Sequence, residues 1–403
     1  MSLWPRSATI DAPRLLLTRA LRGFADGLVS VLLAAHLSAL GLSPFQIGAV
    51  LTGTLLGSAA LTLLVGLRGH GWRRRTVLAG ATLLMALTGL GLAASSAFVP
   101  ILIIAVVGTL NPGAGDVTVF LPVEQAVLSE SVAAPERTAL FALYNLSGTF
   151  AGAFGALAAG GTGALAHALG WPVVAVGRAA FVAYAAVALV AALVYRTLSP
   201  AVEGALPGGT AAPLVRSRAI VLRLAALFSL DSAGGGLAVQ SLLVLWLHRR
   251  FGLSLGTTGS VFFVMGLLAA GSQLVAVRLA GRIGLIRTMV FTHLPANLLL
   301  ILAALVPTAP LAIACLLLRM ALAQMDVPAR QAYVMSVVPP EERAAAASVT
   351  NTPRSLAAAL TPLLAGALLD WTSFGWPLVL GGAMKAAYDL LLLAQFGRVE
   401  PRH

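Results

Sequence analysis

Apolar runs of about 20 residues follow one another along the whole chain, each long enough to cross a hydrocarbon core as a helix. In lipid every backbone N–H and C=O must be satisfied internally, so only helices and closed barrels can span. A barrel would show short segments of alternating hydrophobicity, and these runs do not alternate. The chain therefore reads as an all-α polytopic membrane protein. Its charged fraction is 10%, against about 25% in a soluble domain. Twelve spans are expected, at residues 17–40, 44–65, 76–94, 98–130, 137–161, 172–195, 221–247, 257–277, 288–306, 310–337, 343–369 and 377–396.

A repeat organises these spans. PVEQAVLSESVAAPERTALFALYN, residues 122–145, returns as PARQAYVMSVVPPEERAAAASVTN, residues 328–351. Pro122, Gln125, Ala126, Glu136, Arg137 and Asn145 match Pro328, Gln331, Ala332, Glu342, Arg343 and Asn351 at a constant offset of 206 residues. Gly41-Leu42-Ser43 returns as Gly252-Leu253-Ser254. Two tandem copies of one unit are expected: a first bundle at 1–196, a Pro/Gly-rich linker at 197–220, and a second bundle at 221–403. Six spans per copy make the repeats parallel, related by an axis along the membrane normal.

The net charge of +12 answers to the membrane rather than to nucleic acid. Arg68, Arg73, Arg74, Arg75, Arg137, Arg196, Arg216, Arg218, Arg223, Arg278, Arg282, Arg287 and Arg343 fall in loops on one side, with both termini. Arg249 and Arg250 fall on the other. By the positive-inside rule the first side is cytoplasmic, which suits a bacterial-type cytoplasmic membrane and a monomer in the bilayer. The single cysteine, Cys315, excludes an intrachain disulfide. The six histidines have no metal-ligand spacing, no phosphate-binding glycine-lysine loop occurs, and no nucleophile elbow is present. Neither cofactor, metal nor enzyme activity is expected.

Three local features carry a family resemblance. GLRGHGWRRRTVL, from Gly66, resembles the glycine–acid–arginine loop between the second and third helices of the major facilitator superfamily of secondary transporters. His70 stands where that motif has an acid, and Arg73 where Gly is usual. RLAGRIGLIRT, from Arg278, is a degenerate second copy that also lacks the acid, with Gly281 in that region. The P-E-R and P-E-E-R turns of the repeat resemble the family's loops after helices four and ten. The resemblance covers essentially the whole chain. It implies alternating access around a cavity lined by the first and seventh helices, moving a small solute, often with protons. The fifth span, GTFAGAFGALAAGG, has the glycines of the drug/proton antiporters but not their proline.

An ionisable residue at bilayer depth costs about 2.5–3.5 kcal/mol on insertion scales, so each one points to function or a partner. Asp231, Asp116, Asp26 and Asp326 are the candidates for proton coupling. Asp231 is followed by Ser232 and a glycine run, Gly234-Gly235-Gly236, expected to weaken or break its helix near mid-depth. Asp116 ends the run Asn111-Pro112-Gly113-Ala114-Gly115 in the fourth span. Arg22 with Asp26, Asp326 with Arg330, and Lys385 with Asp389 stand at i, i+4 on one helix face; a structural pair is expected for Lys385 and Asp389 and is one of two readings of the others. Glu124 and Arg330 occupy equivalent repeat positions with opposite charge. Either a cross-bundle pair or two local pairs would follow. Arg22, Asn111, Glu124, Asn145, Arg178, Gln240, Arg319, Arg330, Asn351 and Arg354 form the candidate solute-cavity set. Arg73, Arg74, Arg75, Arg137 and Arg343, at helix ends, are gating candidates. The expected function is alternating-access transport of a small organic solute, proton-coupled and outward. Transport of an anionic metabolite is suggested by Arg178, Arg319 and Arg354. A non-transporting sensor or scaffold is suggested by the missing loop acid at His70 and Gly281.

Overall fold

A computed structural model describes residues 4–68, 72–112, 118–133, 136–203, 214–339 and 342–397. His70 and Asp116 lie outside them, as do residues 204–213 of the expected linker. The described residues are helical and loop, and ten helices are long and apolar enough to cross a membrane. The chain divides into two compact units, residues 1–208 with 254–263, and residues 209–253 with 264–403.

In the first unit α1 (Asp11–Ala39) packs against α6 (Arg137–Leu169) and α7 (Val173–Arg196). Helix α2 (Pro44–Arg68) packs on α4 (Phe98–Val107), and α3 (Arg74–Ala94) on α7. The second unit repeats the scheme. Helix α8 (Arg218–Leu237) packs on α14 (Arg343–Trp371) and α15 (Trp376–Phe396), and α11 (Leu285–Leu305) on α15. Helix α10 (Leu255–Ile283) begins in the first unit and continues in the second.

Glycine sets the closeness of the α1–α6 contact. A Cβ on Gly27 would lie 1.9 Å from the carbonyl oxygen of Gly152, and one on Gly155 2.0 Å from that of Phe24. Without side chains at these points the two backbones touch, the packing mode available where lipid removes the hydrophobic drive between helices.

Four expected spans differ from the sequence reading. The fourth is not one helix over 98–130. Helix α4 stops at Val107, Gly108 is extended (φ −78°, ψ −177°), and α5 (Phe120–Glu130) starts afresh. Pro112 lacks an N–H and disfavours helical geometry at Asn111. In the seventh, α8 runs through Gly234-Gly235-Gly236 and ends at Leu237, and α9 (Gln240–Phe251) follows. The span is interrupted at Ala238-Val239, with Leu237 between the break and the glycines, and the glycines are also contact points: a Cβ on Gly236 would sit 2.3 Å from the carbonyl oxygen of Ala358 on α14. The tenth is interrupted at Gln324-Met325, between α12 (Ala309–Ala323) and α13 (Asp326–Val337). The eleventh, α14, is 29 residues long but carries Pro353, Pro362 and Arg354 and is not among the ten apolar spans.

The repeated P-E-R turn has a use that its sequence did not reveal. The Glu136 carboxylate accepts from the backbone N–H groups of Arg6 (3.1 Å) and Ser7 (3.0 Å) and from the Ser7 hydroxyl. Its repeat mate Glu342 accepts from the N–H groups of Val215 (3.1 Å), Arg216 (2.9 Å) and Ser217 (3.0 Å) and from the Ser217 hydroxyl. Each unit thus anchors the segment leading into its first helix on its own loop carboxylate. These donors stabilise the ionised form and pull Glu342 from the ordinary 4.5 down to about 2, the Ser217 hydroxyl contributing most. A carboxyl depressed in the fold adds stability above its unfolded value, and that stability is lost as pH falls through the folded one. Wild-type protein should therefore lose thermal stability between about pH 4.5 and 2, and Glu342→Gln should flatten part of that limb while lowering the plateau above it. Superimposable melting-temperature-against-pH curves for the two proteins would refute the anchor.

Candidate functional site: a buried ion cluster in each unit

In the first unit the cluster forms where α5 meets α1. Glu124, fully buried, accepts from Thr18 (3.0 Å), Tyr195 (2.6 Å), Tyr144 and Arg22. The Arg22 guanidinium also lies 4.2 Å from the centroid of the Phe120 ring, which stacks on Tyr195. Four donors, one of them a buried cation, saturate the carboxylate. The i, i+4 contact open to Arg22 and Asp26 does not form, because Glu124 claims the guanidinium. Asp26, one turn further along α1 and 8% exposed, accepts instead from the Asn111 amide at 3.3 Å. The break after α4 is what brings Asn111 there. Nearby, the buried Tyr184 hydroxyl has no hydrogen-bond partner among the described residues.

In the second unit the cluster is larger. Asp231 on α8 accepts from Lys385 Nζ at 2.7 Å and Arg330 Nη1 at 3.2 Å, and His293 Nε2 lies 3.7 Å away. Arg330 also reaches Asp326 at 3.2 Å, the i, i+4 pair within α13. Lys385 and Asp389 were expected to pair with each other and do not. Lys385 goes to Asp231, and Asp389 takes His293 Nδ1 (2.9 and 3.1 Å) and the Asn297 amide (2.8 Å). All of these side chains are buried.

The two clusters are repeat mates of opposite polarity. Glu124 on α5 pairs with a base on α1, and Arg330 on α13 pairs with an acid on α8. Of the two outcomes open to the Glu124 and Arg330 positions, the structure has local pairs, one in each unit.

The remaining candidates are spread more widely. Arg178 donates to the Ser96 hydroxyl (2.6 Å), and Arg354 Nε to that of Ser232 (2.8 Å), the neighbour of Asp231. Arg319 reaches the thioether of Met320 at 3.5 Å. Gln240 opens α9 half-buried, while Asn145 and Asn351 are exposed. Among the gating candidates, Arg74 is buried and makes a fork to Glu130 (2.6 and 2.9 Å), and Arg75 lies 3.5 Å from Glu203. Arg73 and Arg137 are exposed, and the side chain of Arg343 lies outside the described residues. Sequence reasoning missed His293, Asn297, Tyr144, Tyr195 and Thr18. The usable signal was the repeat: an ion pair joining the first and fourth spans of one copy implies its mate in the other.

The fold is shared widely. A bacterial homologue of the human lysosomal transporter Spinster, in an inward-facing conformation, superposes with a TM-score of 0.73 at 15% identity over 96% of this chain and 97% of its own. The xylose transporter XylE of E. coli does so with 0.74 at 14%, over 97% of both chains. The human organic anion transporter MFSD10 gives 0.66 at 16%, over 95% of this chain and all of its own. In sequence, an uncharacterised membrane protein of Saccharomyces cerevisiae is 24% identical over 95% of this chain and 93% of its length. The profile of the Major Facilitator Superfamily matches residues 15–352. Two helical units, each knotted by a buried ion cluster, accord with that match: the chain is a multi-pass membrane transporter belonging to the major facilitator superfamily.

Proposed function

We propose that this transporter exports a small organic solute by alternating access, driven by the proton gradient across a bacterial-type cytoplasmic membrane, with both termini in the cytoplasm. The carrying observation is the contrast among the buried carboxylates: among the described residues Glu124 has four donors and Asp231 two cations, whereas Asp26 has one neutral donor, the Asn111 amide. A buried charge needs partners, and for Asp26 a proton would be the next one. This moves the coupling role from Asp231, the first candidate by sequence, to Asp26. Outward transport rests on family analogy alone. Proteoliposomes with an imposed pH gradient test the reading. Asp26→Asn, which keeps an acceptor for Asn111 but cannot titrate, should abolish gradient-driven accumulation at least about tenfold while downhill exchange persists. Accumulation equal to wild type would remove Asp26 from the cycle.

A second reading has an observation of its own. The half-buried Arg319 guanidinium, within an apolar span, makes its hydrogen-bond contact among the described residues to a thioether, a weak acceptor for a cation. An anionic solute would supply the missing carboxylate or phosphate. A flux panel of organic anions and organic cations separates the readings: transport confined to anions favours this one.

A further inference from the structure

Among the described residues, His293 is the one titratable side chain that touches both halves of the second cluster. It is 3% exposed. Nδ1 faces both oxygens of Asp389, and Nε2 faces Oδ1 of Asp231 at 3.7 Å. A neutral imidazole has one N–H and can serve one carboxylate; an imidazolium has two and can serve both. Asp231 faces the ring from α8, and Asp389 and Tyr388 from α15; Lys385 on α15 and Arg330 on α13 join it through Asp231, and Asp326 through Arg330, while α12, also packed on α11, carries Arg319, more than 4 Å from any described carboxylate. Asn297 lies one turn along its own helix and donates its amide to Asp389 at 2.8 Å, which leaves Nδ1, 3.0 Å from that amide, to donate to the same carboxylate. Within ion-pair distance the cluster counts three carboxylates, Asp231, Asp326 and Asp389, against two permanent cations, Arg330 and Lys385. A proton on His293 balances the charge.

We propose that His293 is a proton-carrying positioning residue: protonated, it ties Asp389 on α15 to Asp231 on α8 through α11, and deprotonated it keeps the Asp389 link alone. Two features make the Asp231 link the one that yields. It is the longer contact, and Asp231 retains Lys385 and Arg330 without it. On the other side Asn297 still holds Asp389. The cluster thus gains or loses one of its connections between α8 and α11 with a single proton, while its permanent pairs stay closed. The inference deepens the proposed proton coupling by adding a protonation point in the second unit, separate from Asp26 in the first.

The experiment is solute exchange by the full chain in proteoliposomes at equal pH on both sides, scanned from about pH 5 to 8, the range in which histidine titrates. Wild type should show a step in exchange rate, and His293→Gln, which keeps one donor, should show a flat profile. Asp26→Asn should keep the step while losing gradient-driven accumulation, so the two proposals fail separately. Should His293→Gln not fold, Asp389→Asn takes its place and should displace the step, since it removes the carboxylate facing Nδ1. A step that survives in His293→Gln, or a midpoint unmoved in Asp389→Asn, overturns the proposal, as does a flat wild-type profile.

Discussion

Asp231→Asn is expected to abolish transport in every mode and to cost about 3–5 kcal/mol of stability. The substitution strands Lys385 and removes one of the two carboxylates on Arg330, both in a buried cluster. Unfolding of the detergent-solubilised protein measures the loss. A double variant, Asp231→Asn with Lys385→Met, should recover part of the stability, because a neutral pair of similar volume replaces an uncompensated cation. It should not recover transport. This outcome differs in kind from that of Asp26→Asn, which should spare downhill exchange. If Asp231→Asn keeps wild-type stability and flux, the cluster does not hold the second unit together.

Gly27→Ala should be almost as damaging although it adds a single methyl group. The new Cβ would lie 1.9 Å from the Gly152 carbonyl oxygen and 2.6 Å from its carbonyl carbon. Both are backbone, so no side chain can swing aside, and α1 must move off α6. Overpacking costs about 1–3 kcal/mol where side chains can adjust, and more where they cannot. Shifting α1 also pulls Arg22 from Glu124, which adds the cost of opening a buried pair. A loss of about 3 kcal/mol or more is expected, read as yield of folded protein and melting temperature. Gly161→Ala is the control. Nothing lies within 4 Å of its would-be Cβ, and it should change stability by less than about 0.5 kcal/mol. Equal behaviour of the two variants would contradict the close α1–α6 contact.

Architecture was legible in the sequence for a physical reason: lipid leaves helices little choice, so apolar length locates most spans, and the repeat at Pro122 and Pro328 fixes how they group. Partner choice was much less legible. Neighbours at i, i+4 on a helix share a face, yet Arg22 and Lys385 both reach across to another helix. A buried cation gains most from a carboxylate that is already desolvated and held by other donors, as Glu124 is by Thr18, Tyr144 and Tyr195. Asp326 and Arg330 do pair within their helix, and even there Arg330 divides itself between two acids. The glycines after Asp231 were read by propensity as a break. The helix does end one residue past them, at Leu237; what propensity did not show is that they also seat α8 against Ala358 and Gly381. His293 was invisible because its partners lie on two other helices, far away in sequence.

The distance in sequence between ion-pair partners has a consequence for biogenesis. Arg22 must wait 102 residues for Glu124 to be made, and Asp231 waits 99 for Arg330 and 154 for Lys385. At about 5–20 residues per second of synthesis, a charge sits in or beside the bilayer without its mate for roughly 5–30 s. Each such residue costs about 2.5–3.5 kcal/mol to insert alone, so the first helix of each unit is least at home in lipid just after it leaves the ribosome. It becomes a settled membrane helix only when the fourth span of its own unit arrives. Ribosome-bound chains truncated before residue 124 should therefore hold α1 near the aqueous edge of the insertion machinery, and chains extended past α5 should release it into the membrane.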